Sequence, residues 1–278
     1  MIDEFRRMDE EEAVRLLNLD TISAITRSRA SSGIESLFVD GVSATASKRL
    51  GSGGSKEVYE VTIKNKQYAL ALPGTVGHPQ VVIEKWTKVL QEPKNTDRLR
   101  GLGFYVNDLC QLVPTNVNGY EFPGLIMRRY SDHDFPIYDS KNPGGRHSKL
   151  IKAEEQVTDE TALDLFAPIG DEVAKLVKNG ARLGRDSVNL CDINDVPHLY
   201  LNDLGVASFG KISPDDFEKY VEHYVSSAIG AFVNTVSERV YRGNPYVHSM
   251  ADLGSALQPK LVQRVMATLK ESSPSPHS

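Results

Sequence analysis

The sequence predicts a mixed α+β protein in two parts, a sheet-rich first half and a mainly helical second half. Two observations predict this. Between Ala44 and Tyr130, short β-prone runs alternate with turn signals, whereas beyond Asp139 apolar residues recur at helical spacing. A third observation refines it: the stretch "LGSGGSKEVYEV", Leu50 to Val61, places a glycine-rich connection inside the first of the β-like hairpins.

The bulk numbers narrow the function classes. A chain of 278 residues is long enough for one large domain or for two lobes sharing a cleft. Forty per cent hydrophobic and 25% charged residues suit a globular protein, and a formal net charge of -5 offers no global basic field, so no nucleic-acid partner is expected. Cys110 and Cys191 lie far apart and outside any C-x-x-C pattern, which points away from a disulfide framework or zinc knuckle and toward a reducing, cytoplasmic setting. The N-terminus "MIDEFRRMDEEEA" lacks an apolar h-region. The runs "YALAL" and "AIGAFV" are too short to cross a bilayer, so neither export nor a membrane span is expected.

Taken in order, residues 1–43 read as an N-terminal extension, with a helix-prone acidic segment around Asp9–Leu17 and a polar, linker-like stretch "TRSRASSGIES". Three antiparallel strands follow at "ATASKRL", "EVYEVTI" and "QYALAL", the last two joined by the turn "KNK". Pro79 opens a helix whose apolar face is Val82, Trp86, Val89 and Leu90. Further strands are expected at "CQLVPTNV" and "GLIMRRY", with a turn at "EFPG", which closes the sheet-rich part, 44–130.

The helical part, 131–270, begins with the loop "DSKNPGGRHS". A helix from near Pro168 carries Ile169, Val173, Leu176 and Val177 and ends at Gly180, which suits a left-handed cap. Ser213 as N-cap and Pro214 open a long helix through Phe217, Tyr224 and Phe232, either continuous or broken near Gly230. A last helix near Leu257–Lys270 precedes a tail, 271–278, with too few apolar residues to order itself.

Four segments carry chemistry. Gly51, Ser52, Gly53, Gly54 and Val58 form a G-x-G loop, but Lys56 stands at the place of a third glycine; glycines there let backbone N–H groups approach phosphate oxygens. The strand Tyr68–Ala71 ends in alanine, and Glu84 lies on the helix that follows. "LIMRRY" carries Met127 and Arg129. Finally, "LGRDSVNLCDINDVPHLYLNDLG" places Arg185, Asp186 and Asn189 a short hairpin ahead of Asp203, Leu204 and Gly205, an assembly of hard oxygen donors suited to magnesium. The seven histidines show no H-x-x-x-H or H-E-x-x-H spacing, and no G-x-S-x-G or cysteine nucleophile context appears.

Together these segments, spanning about Leu50 to Gly205, resemble the protein kinase superfamily, and the lysine in the glycine loop is similar to that of the with-no-lysine kinases. The resemblance implies a bilobal protein-kinase-like fold, with a small antiparallel sheet and helix C in the N-lobe and a reduced helical C-lobe. It implies an ATP-dependent kinase that transfers the γ-phosphoryl group to a hydroxyl, most naturally Ser or Thr of a protein substrate. Lys56 would replace the lysine missing at Ala71, with Glu84 orienting it; Gly51, Ser52, Gly53, Gly54, Val58, Ala69, Met127 and Arg129 would hold ATP. Asp186 would position the acceptor, and Asn189 and Asp203 would bind Mg2+ or Mn2+, with Asn194 an alternative to Asn189.

Three departures from the family pattern stand beside this. Gly184 replaces the catalytic-loop histidine, Asp186 and Asn189 are three residues apart where the family has five, and Ser213 opens a helix only eight residues after Gly205, leaving no room for an activation loop. Compact bacterial effector kinases and small-molecule kinases share the last economy, so delivery into a host cell is an expectation by analogy. A pseudokinase that binds a partner through the N-terminal extension, and an enzyme that transfers AMP or phosphorylates a small molecule, are the alternatives.

Overall fold

In the computed structural model the described residues are 5–52, 56–74, 77–129, 137–138, 163–164, 166–193, 196–240 and 247–271. They fall into two compact units: Met1–Arg98 with Asn107–Arg129 and Leu204–Val206, and Leu99–Val106 with Tyr130–Asp203 and Ala207–Ser278.

The first unit opens with helices α1 (Glu10–Leu16) and α2 (Leu19–Ser32), capped by the side chains of Asp9 and Asn18, which accept from the N–H groups of Glu12 and Thr21. Strands β1 (Leu37–Val39), β2 (Val42–Ser52), β3 (Lys56–Ile63) and β4 (Lys66–Pro73) follow, then helices α3 (Pro79–Val89) and α4 (Glu92–Gly101). After β5 (Tyr105–Val106), a strand of the second unit, come β6 (Cys110–Val117) and β7 (Tyr120–Arg128).

These strands overturn the expected kinase-like bilobal fold with its small open N-lobe sheet: six of them close into an antiparallel barrel in the order β1-β2-β3-β4-β7-β6. The cause lies in the segment that reads as an extension. β1 pairs with β2 on one side and with β6 on the other, Leu37 facing Val117 and Val39 facing Thr115, so neither edge is left open. Register shifts in β2 between Ala46 and Lys48 and between Arg49 and Gly51 add the curvature that closure needs. Overall the chain is α+β, as composition and periodicity predict.

Local signals explain the hairpins. Lys64 and Asn65 both take positive φ in the β3–β4 turn. The β6–β7 turn is Asn118–Gly119, also at positive φ, and not "EFPG", which lies inside β7 with Pro123 opposite Pro114. Val61, Ile63, Leu70, Leu72, Phe122 and Ile126 fill the core, and Trp86 of α3 is fully buried with its Nε1 donating to the Pro123 carbonyl at 3.1 Å.

In the second unit, β8 (Ile137–Tyr138), β10 (Val188–Ile193) and β11 (Val196–Leu201) join β5 in a four-stranded sheet of order β5-β11-β10-β8, and β9 (Ala181–Arg182) pairs with β12 (Ser208–Phe209). Helix α5 (Ala167–Lys178) buries Ile169, Val173, Leu176 and Val177, and Gly180 beyond it has φ +67. A Cβ at Gly180 would collide with the Gly210 carbonyl, so this turn demands glycine twice over. Helices α6 (Phe217–Val240), unbroken at Gly230, and α7 (Val247–Glu271) complete the unit. Among the described residues no helix is long and apolar enough to cross a membrane.

Candidate functional site

Lys56 is the first residue of β3, and its register partner is Pro73, the last residue of β4. Val58 faces Ala71 and also Gly51 of β2, and Ala69 faces Met127 of β7. Residues directly opposite each other in an antiparallel ladder share a face, and so do residues two apart along a strand. Lys56, Val58, Gly51, Ala69, Ala71 and Met127 therefore stand on one face, and the lysine lies one step beyond the alanine whose place it would fill. Ser52 is opposite Glu57, and Gly53 and Gly54 lie outside the described residues.

The partner of Lys56 is not Glu84. Glu84 is exposed on α3, whereas Lys56 Nζ donates to Glu92 Oε2 at 2.6 Å, with 11% and 4% of the two side chains exposed. Glu92 opens α4, where the helix dipole favours a carboxylate. Nothing local in "LQEPKN" ties it to a lysine 36 residues away; an acid at a helix start ordinarily reads as a capping charge. Arg129 Nε sits 3.3 Å from Glu60 Oε2, so the Arg129 side chain is committed to β3.

Leu204 and Gly205 are held in the same unit. Asn95 of α4 donates through Nδ2 to the Leu204 carbonyl at 2.8 Å, and a Cβ on Gly205 would come within 2.9 Å of the Lys88 carbonyl. Close backbone approach is what fixes glycine here.

In the second unit, β10 and β11 form the hairpin expected between Asn189 and Asp203. It brings the chain back on itself: Asn202 N donates to the Ser187 carbonyl at 3.1 Å, and Ser187 Oγ donates to the Asp203 carbonyl at 3.1 Å. Asn189 is buried on β10 and its Nδ2 donates to Asn202 Oδ1 at 2.8 Å, an amide pair that the motif does not foretell. Asp186 is exposed on a single 3-10 turn, Arg185–Ser187, and Asp203 takes a left-handed φ of +50, uncommon for a residue with a Cβ. Asn194 lies outside the described residues. Among those described, no cluster of three or more His, Cys, Asp or Glu side chains could hold a metal ion.

Behind this hairpin, His198 Nδ1 lies 2.8 Å from Glu172 Oε1, and Glu172 Oε2 accepts from the Leu199 N–H at 2.6 Å. Burial pushes the Glu172 carboxyl above the usual carboxylate range, against these two contacts.

No protein-family model and no curated protein matches the chain. Its function must be argued from its own residues.

Proposed function

We propose that the chain is an ATP-dependent phosphotransferase that transfers the γ-phosphoryl group to a hydroxyl, of which Ser or Thr of a protein is the first candidate. One observation carries this: a lysine at the end of a glycine-rich strand connection, almost withdrawn from water, is held by a buried carboxylate. Burying an ammonium and a carboxylate together contributes little net stability, so such a pair is better accounted for by the position it gives the ammonium. Phosphoryl transfer needs an oriented cation on the nucleotide phosphates, and Lys56 with Glu92 in place of Glu84 supplies it. Val58, Ala69 and Met127, on the same face, offer apolar contact to an adenine ring.

The remaining roles are those that the motif resemblance implies. Magnesium usually takes one or two protein oxygens and completes its shell with water and phosphate, and the Asn189 amide and Asp203 carboxylate are donors of that kind. Asp186 is the acceptor-positioning residue.

The test is calorimetric titration of ATP, with Mg2+ and then Mn2+, into the wild type, Lys56→Ala and Asp203→Ala, followed by transfer assays with γ- and α-labelled ATP. Metal-dependent binding that both substitutions weaken by about tenfold or more, with γ-label on the product, is the expected result. Label from the α-phosphate would make the protein an AMP transferase. Absence of binding with either metal would overturn the proposal and favour a partner-binding role.

A further inference from the structure

The face of β3 opposite Lys56 carries a second buried ion pair, and it comes from α2. Arg29, buried on that helix, forms an ion pair through Nη2 with Glu57, whose side chain is likewise buried. The same guanidinium donates through Nη1 to the Pro73 carbonyl at 2.5 Å and through Nη2 to Tyr59 Oη at 3.0 Å. Tyr59 Oη donates in turn to Glu57 Oε2 at 2.9 Å, and Arg29 Cζ stands 5.4 Å from the centre of the Tyr59 ring.

The position of these contacts along the strands is what matters. Glu57 is the next residue after Lys56, and Pro73 is the register partner of Lys56. The Lys56–Pro73 pair is the last rung of the β3–β4 ladder, and ladder ends fray unless something holds them. One planar guanidinium, with donors in a fixed fork, grips both strands at that rung; a lysine, whose three donors radiate from one nitrogen on a flexible stem, does not reproduce that fork. The contact is not optimised for stability, because Arg29 Nε is buried with no hydrogen-bond partner among the described residues.

We infer that Arg29 is a positioning residue for Lys56: the N-terminal helix α2 clamps the end of the β3–β4 ladder and thereby fixes where the Lys56 ammonium stands. The N-terminal segment is then a working part of the lysine site. The consequence for catalysis rests on the proposed phosphotransferase function, but the clamp itself does not.

The experiment measures Lys56 directly. The full chain is treated with an amine-acylating reagent, and the modification rate of Lys56 is followed by site-resolved mass spectrometry against the exposed turn residue Lys64. Two variants are compared with the wild type: Arg29→Lys, and Arg29→Met with Glu57→Gln, which avoids stranding a buried carboxylate. Amide hydrogen exchange, including that of Gly119 in the β6–β7 turn, reports on the rest of the barrel. Lys56 should be acylated about fivefold faster in both variants, as expected for losing a local clamp, with Gly119 exchange unchanged, while Arg49→Ala, which removes only an exposed 3.8 Å contact to Glu57 Oε1, leaves Lys56 at its wild-type rate. Unaltered Lys56 reactivity in folded variants would overturn the inference. So would a uniform acceleration of exchange across the barrel, because Arg29 would then be holding the unit together in general. If the wild type fails to bind ATP, the phosphotransferase proposal falls and the acylation rates still decide the clamp.

Discussion

In the first unit two buried ion pairs, Arg29 with Glu57 and Lys56 with Glu92, hold charge, whereas in the second unit, beside the Asn189–Asn202 and Glu172–His198 pairs, several polar side chains are aimed at the backbone. Tyr224 Oη donates to the Ala181 carbonyl at 2.7 Å and accepts from the Leu183 N–H at 3.1 Å, Glu172 takes the Leu199 N–H, and Ser187 reaches the Asp203 carbonyl. The difference is instructive. A side chain aimed at the backbone satisfies groups that must be paired in any case and so secures a local turn or strand. An ion pair must first overcome the desolvation of two charges, and what it secures is the relative position of two side chains. Position is what the phosphate-binding role proposed for Lys56 would require.

The largest expected effect comes from breaking one charge pair on one side only. Glu92→Leu removes the carboxylate that holds the buried Lys56 ammonium and should cost about 3–5 kcal/mol in urea unfolding, whereas Lys56→Met with Glu92→Leu should recover most of it. Equal losses in the single and double variants would show that Glu92 acts through packing and not through charge.

The matching change in the second unit should be smaller. Tyr224→Phe removes both backbone contacts and should cost about 1–3 kcal/mol, since the Leu183 N–H is left buried without its partner. It should also alter the alkaline limb. Burial pushes the Tyr224 phenol up to about 12 from its ordinary 10.0, so its contribution is fully present below pH 10 and is lost as pH rises through about 12. The wild type should lose stability over that window more steeply than Tyr224→Phe, and superimposable slopes would place the phenol in contact with solvent.

The smallest effect is expected at Glu172. Because its folded carboxyl titrates above the ordinary range, the folded state binds the proton more tightly than the unfolded chain. The associated stability is present at low pH and declines as pH rises through the folded value. Glu172→Gln, which can keep the Leu199 contact, should flatten this decline while shifting the midpoint little at the acid end. A steeper decline in Glu172→Gln would reverse the sign assigned to the carboxylate.

Several elements are legible in the sequence. The β3–β4 hairpin, the α3 stripe of Val82, Trp86 and Val89, the left-handed Gly180 and the hairpin that returns Asp203 toward Asn189 all follow from periodicity and turn chemistry within a dozen or so residues. Other features were not. "TRSRASSGIES" reads as a linker, yet most of it lies in α2 and contains Arg29; its polar composition hides a helix whose buried face is Ile22, Ile25 and Arg29. Closure of the barrel was equally hidden, because it depends on β1 finding β6 far along the chain. For Lys56 the surrounding glycines marked the residue but not its partner, and the choice of Glu92 over Glu84 was made by packing.

By itself, then, the sequence determined the α+β character and the main hairpins and helices, because each of these depends on neighbours close in the chain. The tertiary structure alone decided that six strands close into a barrel, that Glu92 holds Lys56, and that Arg29 grips the rung on which Lys56 stands. These are meetings of residues 28 to 80 positions apart. A charge or a strand edge carries no local record of which distant partner will remove it from water.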